Sequence, residues 1–513
     1  KIKYFEDVVI MQKNIKRILN IFMSVLLSLS LSSCGNKNET QEESKETTSE
    51  KEYDISIYNI NPEIEESFQK MCDEYTSRTG VIVKSVTIDL EDEENDGAME
   101  KYMQSSNPPT IFTVSSMEEL NKWRESGNVL DFSNATQTEF KELANNIPNH
   151  FRLSSNTVDN FGIPCTIEGF GYLVDPKMLS SLFGGDKYRA VLNDLKTCSY
   201  DEFEGFVNAI KLYISSGQIY DFNLNDNSYR LLDKKSGLSE NLNGVFSFSS
   251  DNTKYIGSYM ANPVLAAVFG SAAEANIASE EQLNSLMDPL MRFAESLDLV
   301  TSSISGNTST ITKGADLINN PSNTTNQSIK NFVSSKSLFL LALNSSYDRI
   351  ATFNLSMANR CSFIPIKVPI MEQDIKNKNI TDKKINSSIT VYAPSHYVIN
   401  AKASEREQTL AQNFFVWMLT SDLAYKYIVQ EFKYIPYNTT ESNSTVDNAF
   451  SKSMIEYLSS GHVIPAIYYG TPLGWSETNL AKNIIDQYLP KSIWSYNDYQ
   501  KISDYAIKAW KSK

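Results

Sequence analysis

The chain has 513 residues, with 47 Lys and Arg against 62 Asp and Glu, a formal net charge of -15. That length suits two or three compact units, and the 41% apolar share suits a sizeable core. The acidic balance argues against nucleic acid, which selects for basic surfaces, and five cysteines with three histidines argue against a rich metal or redox site.

Residues 1–10 precede the first methionine, Met11, and read as upstream sequence or a misplaced start. From Met11 the pattern is that of an export signal. Lys13, Lys16 and Arg17 form a basic opening, and 18–31 form an apolar run too short to span a bilayer comfortably. The run ends Leu31-Ser32-Ser33-Cys34-Gly35, which resembles the bacterial lipobox. Residues 11–33 are therefore expected to be a lipoprotein signal peptide and Cys34 the lipidated residue. An ordinary secretory signal with a chance cysteine is the alternative. Residues 36–51 (NKNETQEESKETTSEK) hold no aliphatic or aromatic side chain, so 34–52 reads as a lipidated cysteine and a disordered tether. The other cysteines, Cys72, Cys165, Cys198 and Cys361, fit no zinc or CxxC spacing. Disulfides are open to an exported chain, but buried thiols are the simpler expectation.

Residues 53–59 (YDISIYN) read as a strand, and Asn61-Pro62 opens a helix whose Ile64, Phe68, Met71, Cys72 and Tyr75 share one face. Gly80 ends it, and 81–88 form a second strand. The acidic run 89–96 looks calcium-like, but counting Asp92 as position one puts Met103 where the loop needs Glu, so it reads as a solvated loop. A helix around 99–103 and a strand at 109–114 follow, with Ser116 and Glu119 as a capping box for the next helix. This βαβαβα order predicts a mostly parallel sheet with helices on both faces. Further on, 160–174 read as a strand-rich crossing segment, 201–215 and 280–297 as helices, 336–343 as a buried strand and 388–399 as strand. Ser404 and Glu407 cap a long helix, and 497–510 form an amphipathic one.

Certain segments recur in a known order. They are Asn61-Pro62-Glu63, Thr79-Gly80-Val81, Pro108-Pro109-Thr110-Ile111-Phe112, Gly127-Asn128-Val129-Leu130-Asp131, 162–175 (GIPCTIEGFGYLVD), Leu343-Asn344-Ser345-Ser346-Tyr347, Phe363-Ile364-Pro365 and Tyr434-Ile435-Pro436. Together they resemble the extracellular solute-binding proteins of family one, the maltose-binding-protein-like group. Thr110, Ser345, Tyr347 and Lys433 depart from the usual residues.

The resemblance implies a two-lobed α/β fold of the periplasmic-binding-protein type (class II), each lobe a mostly parallel sheet flanked by helices, with an interlobe hinge. Residues 53–164 and 395–440 would form one lobe, and 165–394 and 441–513 the other. The chain would cross between them near 165–169, near 389–395 and soon after Tyr437. It also implies capture of a carbohydrate by lobe closure and delivery to an ABC permease and its ATPase, by a membrane-anchored monomer on the extracytoplasmic face, with no cofactor, metal or catalysis. The same fold serves polyamines, metal complexes and phosphate esters, so the cargo stays open. A secreted hydrolase is the remote rival, since no G-x-S-x-G occurs and no histidine has a triad context.

Sugar binding calls for aromatic platforms and planar polar groups. The candidates are Tyr58, Asn59, Ser115, Glu168, Tyr255, Asn344, Tyr347, Tyr469 and Trp475, with Trp475 the preferred platform. Tyr58 and Asn59 end the first strand, which directs them at a cleft, or else serve as strand core and helix-entry turn. Ser115 ends the third strand, and Ser116 reads as a helix cap. Glu168 falls in the hinge, as a ligand acceptor or a salt bridge. Trp123 and Trp417 read as core.

Overall fold

The computed structural model describes residues 52–89, 97–156, 158–248, 253–303 and 324–512. The expected signal peptide, Cys34 and tether lie outside these, as does most of the acidic loop at 89–96.

Three strands open the fold: β1 (Ile55–Asn59), β2 (Val83–Thr87) and β3 (Ile111–Val114). β1 pairs in parallel with both others. Between β1 and β2, Asn61 caps a short turn at Pro62–Ile64 by accepting the Glu63 N–H (3.0 Å), and the helix Glu65–Thr79 follows. It stops at Gly80, whose φ of +76° suits glycine. The Ser116 hydroxyl caps the helix Met117–Glu125 as expected, but the Glu119 carboxylate reaches past it to the Ser115 N–H (2.7 Å) and hydroxyl (2.9 Å).

The chain then reaches β4 (Ile163–Pro164) and β5 (Glu168–Val174), followed by the hairpin β6 (Asp221–Leu224) and β7 (Asn227–Arg230), and β8 (Gly244–Ser247). The hairpin occupies a stretch with no sequence expectation. Asn225 and Asp226 turn it with positive φ, a conformation that Asn and Asp tolerate best after glycine. β9 (Ser337–Leu343), β10 (Ser362–Ile364), β11 (Ile389–Tyr392), β12 (His396–Ile399) and β13 (Val463–Pro465) complete the strands. The run at 388–399 is two strands, because Ala393-Pro394-Ser395 breaks it.

One five-stranded sheet has the order β2-β1-β3-β12-β4, and one six-stranded sheet the order β13-β11-β5-β9-β8, with β10 beside β5. Both are mixed rather than mostly parallel. β12 runs antiparallel to β3 and β4, and β5 runs antiparallel to β9, β10 and β11. The cause is the crossing. A strand that enters a sheet from the hinge runs away from the cleft, whereas the strands of the βα units run toward it.

Alternation along each strand sorts the core. Ile55 and Ile57 of β1 pack with Phe68, Met71 and Phe414, while Tyr58 packs on the other face with Phe112 and Leu120. In β5, Phe170, Tyr172 and Val174 face a large core with Phe203, Phe293 and Trp510, and Leu173 faces the opposite side. That opposite side is continuous with the first sheet's core: one apolar cluster holds Ile163, Ile167, Leu173, Ile389 and Ile399. The two halves therefore share a packed back. Cys72, Cys198 and Cys361 are buried thiols, and Cys165 is half-buried and also unpaired.

Two buried basic side chains decide how this core responds to change. Lys367 is 1% exposed, and its Nζ donates to the carbonyls of Lys196 (3.3 Å), Cys198 (2.9 Å) and Asn386. Burial pulls its pKa down to about 8, so it stays protonated at pH 7 with three donors for three acceptors. Lys367→Met strands those carbonyls and is expected to cost about 3 kcal/mol or more, read as a lower melting temperature. His396 lies buried on β12 and its Nε2 bonds the Phe151 carbonyl (2.8 Å). Burial pushes its pKa down to about 4, against roughly 6.5 in an unfolded chain. The unfolded chain thus takes the proton first, so this contribution is complete above pH 6.5 and is lost as pH falls toward 4. The melting temperature should drop across that window, and His396→Gln should make the drop smaller. An unchanged profile in the variant would show that His396 is not the sensor.

Candidate functional site

The carboxyl end of β3, the hinge and the turn after β13 converge on a cavity of about 240 Å³. The first half supplies Ser115 and Ser116 from the end of β3, and His150, Phe151 and Arg152 from the turn Asn149–Phe151 and just beyond. The hinge supplies Tyr392, Ala393 and His396. The second half supplies Gly270–Glu274, Ala466 and Tyr469. The cavity therefore has walls from both halves, at the end of the strands where open α/β sheets bind ligands. Across the cleft the halves touch directly, where Asn121 Nδ2 donates to Asn276 Oδ1 (3.3 Å).

The second-half wall is tyrosine. Tyr469 stacks on Tyr468 with ring centroids 4.8 Å apart and 27° between planes, and lies 5.4 Å from the ring of Tyr392. Tyr259 and Phe170 support the group from behind. The Tyr392 hydroxyl donates to Glu168 Oε2 (2.5 Å), which fixes the ring. Burial raises the Tyr392, Tyr468 and Tyr469 phenols well above their ordinary range, so they remain protonated donors. Gly470 lets this turn approach: a Cβ there would sit 1.8 Å from the Ala272 carbonyl oxygen.

The charged groups of the lining already have partners. Arg152 donates through Nε to the Ile147 carbonyl (2.8 Å) and through Nη2 to the Asn145 carbonyl (2.5 Å). Glu274 accepts the Gly270 N–H (2.7 Å) and Gln282 Nε2 (2.9 Å). His150 is held neutral, its pKa pushed down to about 4 by burial, and its buried Nε2 has no hydrogen-bond partner. What remains for a ligand is an aromatic face and neutral donors and acceptors.

Of the sequence candidates, Ser115 and Tyr469 line this cavity, and Glu168 stands one hydrogen bond behind it through Tyr392. The others lie elsewhere. Trp475 is not a platform: it is 0% exposed, packed on Trp510 (4.6 Å), with its indole N–H on the Ala506 carbonyl (2.7 Å). Tyr58 is strand core, set edge-on to Tyr102 (4.7 Å). Asn59 ties the helix-entry turn by donating to the Asn61 carbonyl (2.9 Å). Asn344 braces the hinge by accepting the Gly169 N–H (2.8 Å). Tyr347 packs on Phe450 and donates to Asn359. Tyr255 lines a separate small cavity with Ser247 and Arg349. Sequence reasoning missed Tyr392, His150 and His396. Tyr392 could have been found as the last aromatic before the Pro394 break, whereas His150 has no periodic signal around it.

No protein-family model and no curated protein matches the chain. Solved structures match it in architecture. A family 1 extracellular solute-binding protein from Bifidobacterium longum subsp. infantis is 13% identical with a TM-score of 0.56, over 89% of this chain and 98% of the other. The apo-form of RafE from Streptococcus pneumoniae is 12% identical with a TM-score of 0.55, over 89% and 96%. The bacterial solute receptor AcbH, with an exclusive substrate preference for β-D-galactopyranose, is 11% identical with a TM-score of 0.55, over 89% and 97%. The chain thus has the two-lobed α/β fold of the family 1 extracellular solute-binding proteins, with a cavity where its two halves meet.

Proposed function

We propose that this protein is the solute-binding component of an ABC importer and captures a neutral carbohydrate in the cleft, without chemistry on it. The observation that carries this reading is the cavity itself. A stacked tyrosine wall faces neutral hydrogen-bonding groups, and the carboxylate and guanidinium of the lining already have partners. A sugar has apolar C–H faces for the tyrosines and hydroxyls for the polar groups. A polyamine needs several free carboxylates, and a phosphate ester, although the N-terminus of Met117–Glu125 borders the cavity, would meet a lining guanidinium, Arg152, already bonded to two carbonyls. The preference reported for AcbH supports the same cargo class.

Isothermal titration against a panel of neutral sugars, with putrescine and glycerol 3-phosphate beside them, tests the cargo. One or more sugars should bind, and Tyr469→Ala should weaken that binding at least tenfold while the melting temperature of the free protein changes little. Binding of the charged solutes alone would overturn the reading.

The proposal extends to the anchor. Cys34 would receive diacylglycerol, 36–51 would tether the folded body to the extracytoplasmic face of the membrane, and a permease with its ATPase would receive the cargo. The lipobox-like run 31–35 after an apolar stretch supports this. Cys34→Ala should move the protein from the membrane fraction to the medium. Retention in the membrane would remove the lipid anchor.

A further inference from the structure

The small cavity beside Tyr255 lies wholly within the second half, apart from the cleft. It measures about 30 Å³ and sits at the carboxyl end of β8, whose last residue, Ser247, borders it. β9 contributes Leu340 and Ala342, and two helices complete the wall. Ser328 stands in the first turn of the helix Thr325–Val333, and Arg349 and Ile350 in the first turn of the helix Tyr347–Ala358. Two helix N-termini therefore border one small space, each with its partial positive charge.

Two further observations mark it as a site. Ser328 is 3% exposed, and its buried hydroxyl has no hydrogen-bond partner. Buried polar groups are paired, so water or a ligand must supply the missing bond. Arg349 is the only charged residue among the described lining, in a chain with a net charge of -15. No carboxylate neutralises it there. Its Nε and Nη2 both donate to the neutral amide oxygen of Asn326 (3.0 and 2.8 Å), which fixes one edge of the guanidinium and leaves the other for an acceptor. The adjacent Asp348 pairs with Lys433 instead (3.8 Å). The Ser247 hydroxyl donates to the Ser328 carbonyl (2.7 Å), which ties the strand end to the helix and holds the wall in place.

The geometry points to a second binding site, for a small monocarboxylate of the size of acetate. Its charged end takes the free edge of Arg349, the Ser328 hydroxyl and the helix N-termini, and its apolar end lies on Ile329, Leu340 and Ile350. The cavity has room for roughly two waters, which matches acetate. A phosphate or sulfate has oxygens on every side and would leave some of them unpaired against the apolar wall. The site is independent of the carbohydrate reading and shares no lining residue with the cleft.

The test titrates the full chain with sodium acetate, acetamide and inorganic phosphate, ionic strength being held constant with sodium chloride. Binding of acetate and acetamide is read by saturation transfer to their methyl protons, and binding of all three by the shift in melting temperature. Acetate should give a saturable response in both, and acetamide and phosphate should give none. Arg349 is exposed, so Arg349→Gln should leave the melting temperature of the free protein nearly unchanged while weakening acetate at least tenfold. Ser328→Ala should weaken it at least threefold. Tyr469→Ala, which alters the cleft, should leave acetate binding as it is. Acetamide or phosphate binding as well as acetate, an unchanged affinity in Arg349→Gln, or a loss of acetate binding in Tyr469→Ala overturns the inference. No response to acetate at all leaves water as the partner of Ser328 and overturns it too.

Discussion

Three short segments tie the two halves together, and the placement of every other element depends on them. Residues 165–167 leave the first sheet for the second, residues 393–395 return, and the chain near Ile435 passes alongside. They hold one another by hydrogen bonds from backbone N–H groups. Cys165 N–H donates to the Ser395 carbonyl (3.0 Å), Ile167 N–H to the Ile435 carbonyl (2.9 Å), and the Ile435 N–H to the Thr166 hydroxyl (3.0 Å). Buried backbone polar groups must be paired, so segments that leave one sheet must pair with each other before they join the next. That requirement sets the direction of β5 and β12, makes both sheets mixed, and points the carboxyl ends of β3, β9 and β11 at the gap between the halves.

The two sides of this hinge differ in kind. On the back, a single apolar cluster runs from the first sheet to the second through Ile163, Ile167 and Ile389. On the front, Tyr392, Ala393 and His396 border the cavity. A packed back resists shear. Across the front, Asn121 and Asn276 share a neutral hydrogen bond between part-buried side chains, worth about 1 kcal/mol, and the turn Asn149–Phe151 lies beside β11 and β13.

Much of the fold was legible because local rules and global packing agree. The 3.6-residue spacing of Phe68, Met71, Cys72 and Tyr75 names the buried face of a helix, and Ser404 with Glu407 forms the full capping box. The site was legible only in outline. Strand ends mark where a cleft lies, but not which of two alternating faces each side chain takes. Tyr58 ends β1 yet faces the core, whereas Ser115 ends β3 and faces the cavity. Trp475 stands in a Gly/Pro-marked turn that suggests exposure, but a large ring beside Trp510 gains more by burial, and the neighbouring Tyr469 takes the exposed place. His150 and Tyr392 reach the cavity through contacts distant in sequence, with Phe151, His396 and Glu168, and periodicity carries no trace of these.

The arrangement of these groups bears on how affinity would arise. Ser115, His150 and Asn121 belong to one half, and Tyr469, Ala272 and Asn276 to the other. A ligand that touched one set alone would bind both arrangements of the halves equally and shift neither. A ligand that touches both sets stabilises the closed arrangement by the contacts made only there, so measured affinity is the sum of contact energy and the cost of closure. The contacts a ligand makes with both sets at once then decide which arrangement prevails.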